Sequence, residues 1–386
     1  MPAQQMSAQD INSLAKMLIQ QKGVRMQQQI YSRVVDPVAE PSITISPRNV
    51  GLILGFYLKV TARITNTGAG PSLTPTDFGP ANMLSRISFT DLENNERINT
   101  FGWHVAAMNS IKARHVYGGA DINSSLAYPL GFGANYAVQN APVMATATNG
   151  LWQFWYWIPL AYSESDYRGA IYANVINATM QLVLTFNPTP IAAAPANDLG
   201  YVATGTTGTM TAVQVDVHQV YMDQLPRGQN GGVVLPILDL ATVYEYKSTT
   251  FTGLTPGTDF PMDYANFRDF LSTFAVYYDG ANRLPAPGAL LVNNVNYWLL
   301  QSANFTNIWK MPPDLIALRT RNHLFVDVPK GCYYFGSREK PISTIQYGNM
   351  QLVLNPSIAG PTASVIMAYE DFALKNAVTK AGSIQA

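Results

Sequence analysis

Apolar and polar residues alternate along much of this chain. Leu52, Leu54, Phe56, Leu58, Val60, Ala62 and Ile64 are separated by Ile53, Gly55, Tyr57, Lys59, Thr61 and Arg63. Successive side chains of a strand point to opposite faces, so this stretch predicts a half-buried β-strand. The same period recurs at Val213, Val215 and Val217, at Met180, Leu182, Leu184 and Phe186, and at Met350, Leu352 and Leu354. Residues 151–158 include Trp152, Trp155 and Trp157 and are apolar on both faces, as a strand with core on one side and a packed neighbour on the other would be. The N-terminus has a different period. Ile11, Leu14, Ala15, Leu18 and Ile19 fall at i, i+3, i+4, i+7 and i+8, the spacing of an amphipathic helix. Gly23 interrupts it, and Met26 and Ile30 continue the stripe. Pro37, Pro41 and Pro47 then mark an extended connector. Residues 264–274 and 314–322 are the other helix candidates, the latter begun by Pro312 and Pro313. Residues 118–150, 187–210 and 280–296 are rich in Gly, Pro and Asn and predict long loops.

The chain also repeats itself. Residues 51–78 and 231–260 both open on glycine, run through an apolar stretch and close on Leu-Thr-Pro and Thr-Asp-Phe. Residues 180–184 recur letter for letter as 350–354, and Tyr221-Met222-Asp223 is echoed by Tyr369-Glu370-Asp371. These spacings are domain-sized, far beyond the ~20–50 residues of a solenoid or propeller. About eight strands per half, with little helix, is the count of a jelly roll. The expected fold is all-β: two tandem eight-stranded jelly rolls (a double jelly roll), an N-terminal amphipathic helix and a few short helices in loops. The expected boundaries are a helical arm and connector at 1–44, a first jelly roll at 45–226, a link at 227–230, a second jelly roll at 231–375 and a tail at 376–386.

Composition narrows the function. Only 12% of the 386 residues are charged, against ~25% in an average soluble protein, while 47% are hydrophobic. A chain this poor in charge predicts surface buried against other subunits. Its 24 basic and 24 acidic residues cancel, and no Lys/Arg cluster stands out, so direct nucleic-acid binding is not expected. One cysteine, Cys332, permits neither an internal disulfide nor a Cys-based zinc site. The first 30 residues lack the pattern of a secretory signal. The densest apolar stretches fall short of the ~18–20 residues of a membrane span. Synthesis in the cytoplasm without crossing a bilayer is therefore expected.

Catalytic chemistry is hard to find. There is no Walker loop, His-Glu-x-x-His, Gly-x-Ser-x-Gly or EF-hand loop. His104, His115, His218 and His323 have no ligand-like spacing. Asp77-Phe78-Gly79 matches the kinase triplet in letters only. Glu164 and Asp166 could suggest paired carboxylates, but sequence neighbours in a polar stretch are more often solvated or capping. No catalytic, cofactor-binding or metal-binding residue is assigned, and no cofactor is expected.

Several segments resemble the major capsid proteins of tectiviruses, the tailless, membrane-containing icosahedral bacteriophages. They are residues 76–82, 157–166, 223–231, 264–266, 329–334, 338–342 and 346–349. The resemblance spans roughly residues 45–375 in order and is absent from the three long loops. It implies a structural subunit of the virion capsid, made in a bacterial host's cytoplasm. It implies a homotrimer of double jelly rolls whose six barrels form a pseudo-hexagonal block, tiling an icosahedral shell over an internal membrane. The partners it implies are neighbouring capsid trimers, vertex (penton) and minor capsid proteins, and the inner membrane surface. The N-terminal arm is the expected membrane- or neighbour-contacting element, through Ile11, Leu14, Lys16, Leu18, Ile19, Lys22, Arg25 and Arg33. Its four cations oppose Asp10 alone in residues 1–33, and a basic amphipathic helix can lie on an anionic bilayer.

Two other readings compete. Some hydrolases also pair two jelly rolls, which predicts a carboxylate or histidine cluster between the halves. A carbohydrate-binding module would use Trp152, Trp155 and Trp157 as sugar platforms, although aromatics on core-patterned strands usually pack inward.

Overall fold

The structure, a computed structural model, describes residues 7–67, 74–75, 79–117, 149–174, 178–187, 191–192, 201–202, 208–279, 282–284, 294–324, 331–336, 341–357 and 362–374. A helix α1 (Ala8–Lys22) leads into a first set of eight strands: β1 (Val24–Val35), β2 (Ser42–Ile45), β3 (Leu52–Asn66), β4 (Leu84–Thr90), β5 (Glu96–Thr100), β6 (Asn149–Pro159), β7 (Gln181–Phe186) and β8 (Gly208–Asp223). Helix α2 (Gly102–Tyr117) lies between β5 and β6, and a short α3 (Ile237–Leu240) follows β8. The second set is β9 (Thr242–Thr252), β10 (Phe260–Asp263), β11 (Arg268–Asp279), β12 (Val295–Ser302), β13 (Trp309–Met311), β14 (Cys332–Gly336), β15 (Met350–Pro356) and β16 (Ala363–Leu374). Helices α4 (Pro313–Leu324) and α5 (Thr344–Tyr347) lie before and after β14.

The strand orders display the duplication. The first unit packs the sheet β1-β8-β3-β6 against β2-β7-β4-β5. The second packs β9-β16-β11-β14 against β10-β15-β12-β13, so every strand of the first unit has a counterpart eight places later. Both are eight-stranded jelly rolls. Residues 180–184 and 350–354 are equivalent: Leu182 on β7 lies opposite Phe89 of β4, and Leu352 on β15 opposite Leu300 of β12. Leu182, Leu184, Leu352 and Leu354 all point into the cores and are fully buried.

The two units are joined edge to edge. β5 pairs in parallel with β9, Ile98 opposite Tyr246 and Asn99 opposite Lys247, which fuses one sheet of each unit into a single ten-stranded sheet, the two further strands being the short segments Asn282–Leu284 and Ile342–Ser343 that pair with β11. The first unit's core continues across this joint. Leu58, Val60 and Leu184 belong to the same apolar cluster as Tyr244, Tyr246, Phe274 and Ala368 of the second. A separate cluster around Trp298, Leu352, Leu354 and Met367 fills the second sandwich.

Three expectations change. Residues 24–35 do not extend a helix: they form β1, which pairs with β8 from Val24–Asp223 to Val35–Val213. The arm and connector therefore contain a strand of the first jelly roll. Residues 264–274 are not helical either, because β11 is buried on both faces in its centre and such a run shows no alternation. Finally, the repeat of 51–78 in 231–260 does not mark equivalent strands. The first copy runs along β3, an inner strand with neighbours β8 and β6, whereas the second runs along β9, the counterpart of β1. The helix expected at 314–322 is present as α4. The three long loops, the Asp77-Phe78 pair and the tail at 376–386 fall wholly or largely outside the described residues.

Candidate assembly surface

The base of the first unit is built around α1. Ser7 caps the helix: its hydroxyl accepts from the Asp10 amide at 3.2 Å, and the Asp10 carboxylate accepts from the Ser7 amide, a reciprocal capping box. Gly23 ends it, its amide donating to the Ile19 carbonyl at 2.8 Å. A Cβ at Gly23 would lie 2.6 Å from that carbonyl, so only glycine allows this close passage into β1.

The apolar stripe of the helix divides. Ile19 is fully buried, in a cluster with Leu52, Leu54, Tyr167, Val220 and Met222, and Ala15 is buried beside it. The polar Asn12 shares the buried face, where it docks α3. Its side-chain amide donates to Asp239 at 2.7 Å, and its carbonyl accepts from the Leu238 amide at 3.0 Å. Ile11 (53% exposed), Leu14 and Met17 face solvent, and Leu18 is half-buried. On α3, Ile237 (71%) and Leu238 are exposed too. Met17, Ile237 and Leu238 were not singled out from the sequence, although an apolar pair between Pro236 and Asp239 was a usable signal for an exposed turn.

The basic character of the arm is largely cancelled within the chain. Lys16 pairs with Asp239 at 2.8 Å, Arg25 with Glu164 and Arg33 with Glu40. Among the described residues, only Lys22 of the four cations has no carboxylate within ion-pair distance. Sequence reasoning could not see these partners, because Asp239 and Glu164 are distant in the chain.

The same contacts dissolve the hydrolase reading. Glu164 and Asp166 each hold an arginine. Arg168 grips both oxygens of Asp166, Nε donating to each at 3.0 Å and Nη2 to Oδ2 at 2.6 Å. Partial burial pushes the Asp166 carboxyl up, but those hydrogen bonds outweigh it and leave the pKa below the ordinary value. His104 is wholly buried on α2, its Nδ1 2.8 Å from the Thr100 hydroxyl. Desolvation, with a smaller push from Lys112, takes its pKa down to about 3, so the ring is neutral. Cys332 is buried on β14. Trp152 points into the core, while Trp155 and Trp157 are half-buried on the outer face, against Lys59 and Tyr57. No group of three or more His, Cys, Asp or Glu is placed to hold a metal among the described residues, and no helix there is long and apolar enough to cross a membrane.

Between the units the contacts are charged and aromatic. Lys112 of α2 reaches Glu370 at 2.6 Å and lies over the rings of Tyr244 (4.8 Å) and Tyr162 (5.0 Å). Arg168 of the first unit stacks on Phe372 at 4.2 Å, and behind it, within the second unit, Arg268 pairs with both Glu245 and Asp371. An arrangement that locks one barrel to the next, with carboxylates spent on arginines and lysines, suits a building block.

Comparison with known proteins agrees. Residues 2–225 match the family described as P3 major capsid protein N-terminal, and residues 241–386 match P3 major capsid protein C-terminal. The chain belongs to the P3 major capsid protein family. It is 37% identical to major capsid protein P3 of Enterobacteria phage PRD1, over 99% of this chain and 97% of that one. The resemblance to tectiviral capsid proteins thus holds, and the P3 family member described here is a structural protein of a virion capsid rather than an enzyme. Its fold is also that of the STIV MCP crystal structure (TM-score 0.64, 10% identity, covering 94% of this chain and 100% of that one). A chain of the PBCV-1 virus capsid is similar at TM-score 0.56 and 8% identity, covering 91% and 94%.

Proposed function

We propose that this capsid protein works as a homotrimer whose six barrels form a pseudo-hexagonal block. Such blocks tile an icosahedral shell over an internal membrane, against neighbouring trimers and the vertex and minor capsid proteins. The observation that carries this reading is the edge-to-edge fusion of two equivalent jelly rolls through β5 and β9. Each joined pair supplies one third of a six-barrel ring, and the low charge suits a surface buried by assembly. Native mass spectrometry of the dilute protein tests it: the expected species has three times the 42.2 kDa of the chain, and a monomer under all conditions rules the reading out.

The arm is assigned the contact with the membrane surface or a neighbour, in a narrower form than its sequence implied. Ile19 packs inside the subunit, and Lys16, Arg25 and Arg33 are engaged by carboxylates. The available part is Ile11, Leu14, Leu18 and Lys22, with Met17, Ile237 and Leu238 beside it. Each unpaired cation near an anionic surface contributes on the order of 1 kcal/mol, so apolar contact dominates. Leu14→Asp is expected to reduce binding to anionic vesicles more than Lys22→Gln does, and added salt to change it little.

A further inference from the structure

Within the chain, the first unit's β5 edge adds in parallel to the second unit's β9 edge. Applying the same step once more joins the second unit of one chain to the first unit of another. The counterpart of β5 is β13, and the counterpart of β9 is β1. Both are terminal strands of their sheets, and neither has a partner on its outer side among the described strands.

We infer that β13 of one copy pairs in parallel with β1 of the next, a head-to-tail sheet extension that closes on itself after three chains. This rests on the trimer proposed above and specifies its interface. Three further observations support it. First, β1 is a twelve-residue edge strand exposed along most of its length, with Val24, Met26 and Val34 open to solvent. Such an edge invites uncontrolled pairing unless something covers it. Second, α2 is buried on the side facing the second unit, where Trp103 and His104 meet Phe274 and the Ser272 hydroxyl donates to Met108 Sδ at 3.6 Å. Its counterpart α4 buries Ile316 and Thr320 inward but leaves Leu315 (44%) and Leu318 (54%) exposed. Third, the surface these leucines would meet is half-buried and aromatic. Tyr57, Trp155 and Trp157 stand on the outer face of β3 and β6, whereas Phe274, Val276 and Ala368 on the equivalent face of the second unit are fully covered.

The internal repeat also sets the register. Leu182 lies opposite Phe89, which lies opposite Ile98; Leu352 lies opposite Leu300, which lies opposite Trp309. Trp309 and Lys310 therefore stand where Ile98 and Asn99 do. On the other side, Tyr246 and Lys247 face Glu370 and Tyr369, while Arg25 and Met26 face Met222 and Tyr221, the equivalent pair. Trp309 and Lys310 of one copy thus oppose Arg25 and Met26 of the next. A surface that is not self-complementary gives a ring when its rotation closes.

The test is a cysteine pair, Met26→Cys with Lys310→Cys, oxidised in the trimer and run on a denaturing gel. The double variant is expected to give covalent dimers and trimers, and each single variant neither. Trimers by native mass with no interchain bond in the double variant would overturn the pairing while leaving the trimer intact, as would dimers from Met26→Cys alone. A monomeric unsubstituted chain removes both. Leu315→Asp with Leu318→Asp is the second arm. Both positions are exposed in the single chain, so its circular dichroism stays unchanged while trimer affinity falls at least tenfold; an unaltered affinity counts against the interface.

Discussion

At the scale of single residues, the interior faces of equivalent strands are now distinguishable. Leu184 and Leu354 are fully buried, and an aspartate at either would be a carboxylate with no partner. That costs well beyond the ~1–3 kcal/mol of an ordinary core defect. Leu184→Asp and Leu354→Asp are therefore expected to leave no soluble trimer. The neighbouring positions differ between the units. Val183 is half-buried, so Val183→Asp stays soluble, whereas Val353 is buried and Val353→Asp does not. Soluble expression and size exclusion of the four variants decide this. A second residue-scale effect concerns pH. His104 has a folded-state pKa of about 3, far below its ordinary 6.5, so the unfolded chain takes up the proton first as pH falls. Its contribution to stability is complete above pH 6.5 and is lost progressively down to about 3. Burial raises the Asp371 carboxyl to about 7, against the pull of Arg268, and that group acts in the opposite direction. Comparing the parent with His104→Gln cancels it. Between pH 6.5 and 5 the parent should lose about 1.5–2 kcal/mol more than the variant, read from denaturant midpoints. Parallel pH profiles would refute the assignment of a buried neutral imidazole.

At the scale of elements, α1 and β1 are different objects that the sequence presents as one arm. Deleting residues 1–22 removes α1, uncovers Leu52, Leu54 and Met222, and strips Asp239 of Lys16 and Asn12. The β1-β8 ladder survives, so a folded but less stable subunit is expected. Deleting residues 1–35 removes β1 as well and bares β8, which should yield aggregated protein. Circular dichroism and size exclusion separate the outcomes, and a soluble, native-like 1–35 deletion would show that the first sandwich does not need β1. The reason β1 was illegible is physical. Both its faces are largely exposed, so nothing selects an alternation, and Met26 with Ile30 mimics a helical spacing. The strand β7 was legible because it alternates between a filled core and a less crowded outer face, and β15, buried almost throughout, was legible because it repeats the letters of β7. The resemblance of residues 51–78 to 231–260 misled because strands of similar apolar content carry similar letters at non-equivalent positions of their sheets, β3 inside its sheet and β9 at the counterpart of an edge. The helical position of Ile11 and Leu14 was readable from period alone. The pairing of Lys16 and Arg25 was not, since Asp239 and Glu164 meet the arm only after folding, whereas Glu40 lies in the connector itself and is brought to Arg33 by the turn that follows β1.

At the scale of the whole molecule, the two family matches, 2–225 and 241–386, invite the view that the jelly rolls are separable domains. The joint argues otherwise. It continues a ten-stranded sheet, and the outer face of the second unit (Tyr244, Tyr246, Phe274, Val276) is buried in the first unit's apolar cluster. The charges there are shared as well: Lys112 of α2 supplies the cation for Glu370, a carboxylate buried almost completely on β16. Cutting the chain at the link would leave Glu370 without that cation, and would expose an aromatic face and the β9 edge together. A lost partner for a buried charge costs ~3–5 kcal/mol, a large share of the ~5–15 kcal/mol that holds a typical domain together. Residues 231–386 expressed alone are therefore expected to be insoluble or molten, and to become soluble when residues 1–230 are co-expressed. The intact chain should unfold in one denaturant transition, with tryptophan fluorescence, reporting chiefly on β6 and β12, coinciding with circular dichroism. A soluble second unit with native-like near-ultraviolet dichroism, or two resolved transitions in the intact chain, would mean that the sheet crosses the joint without making the two barrels one cooperative body.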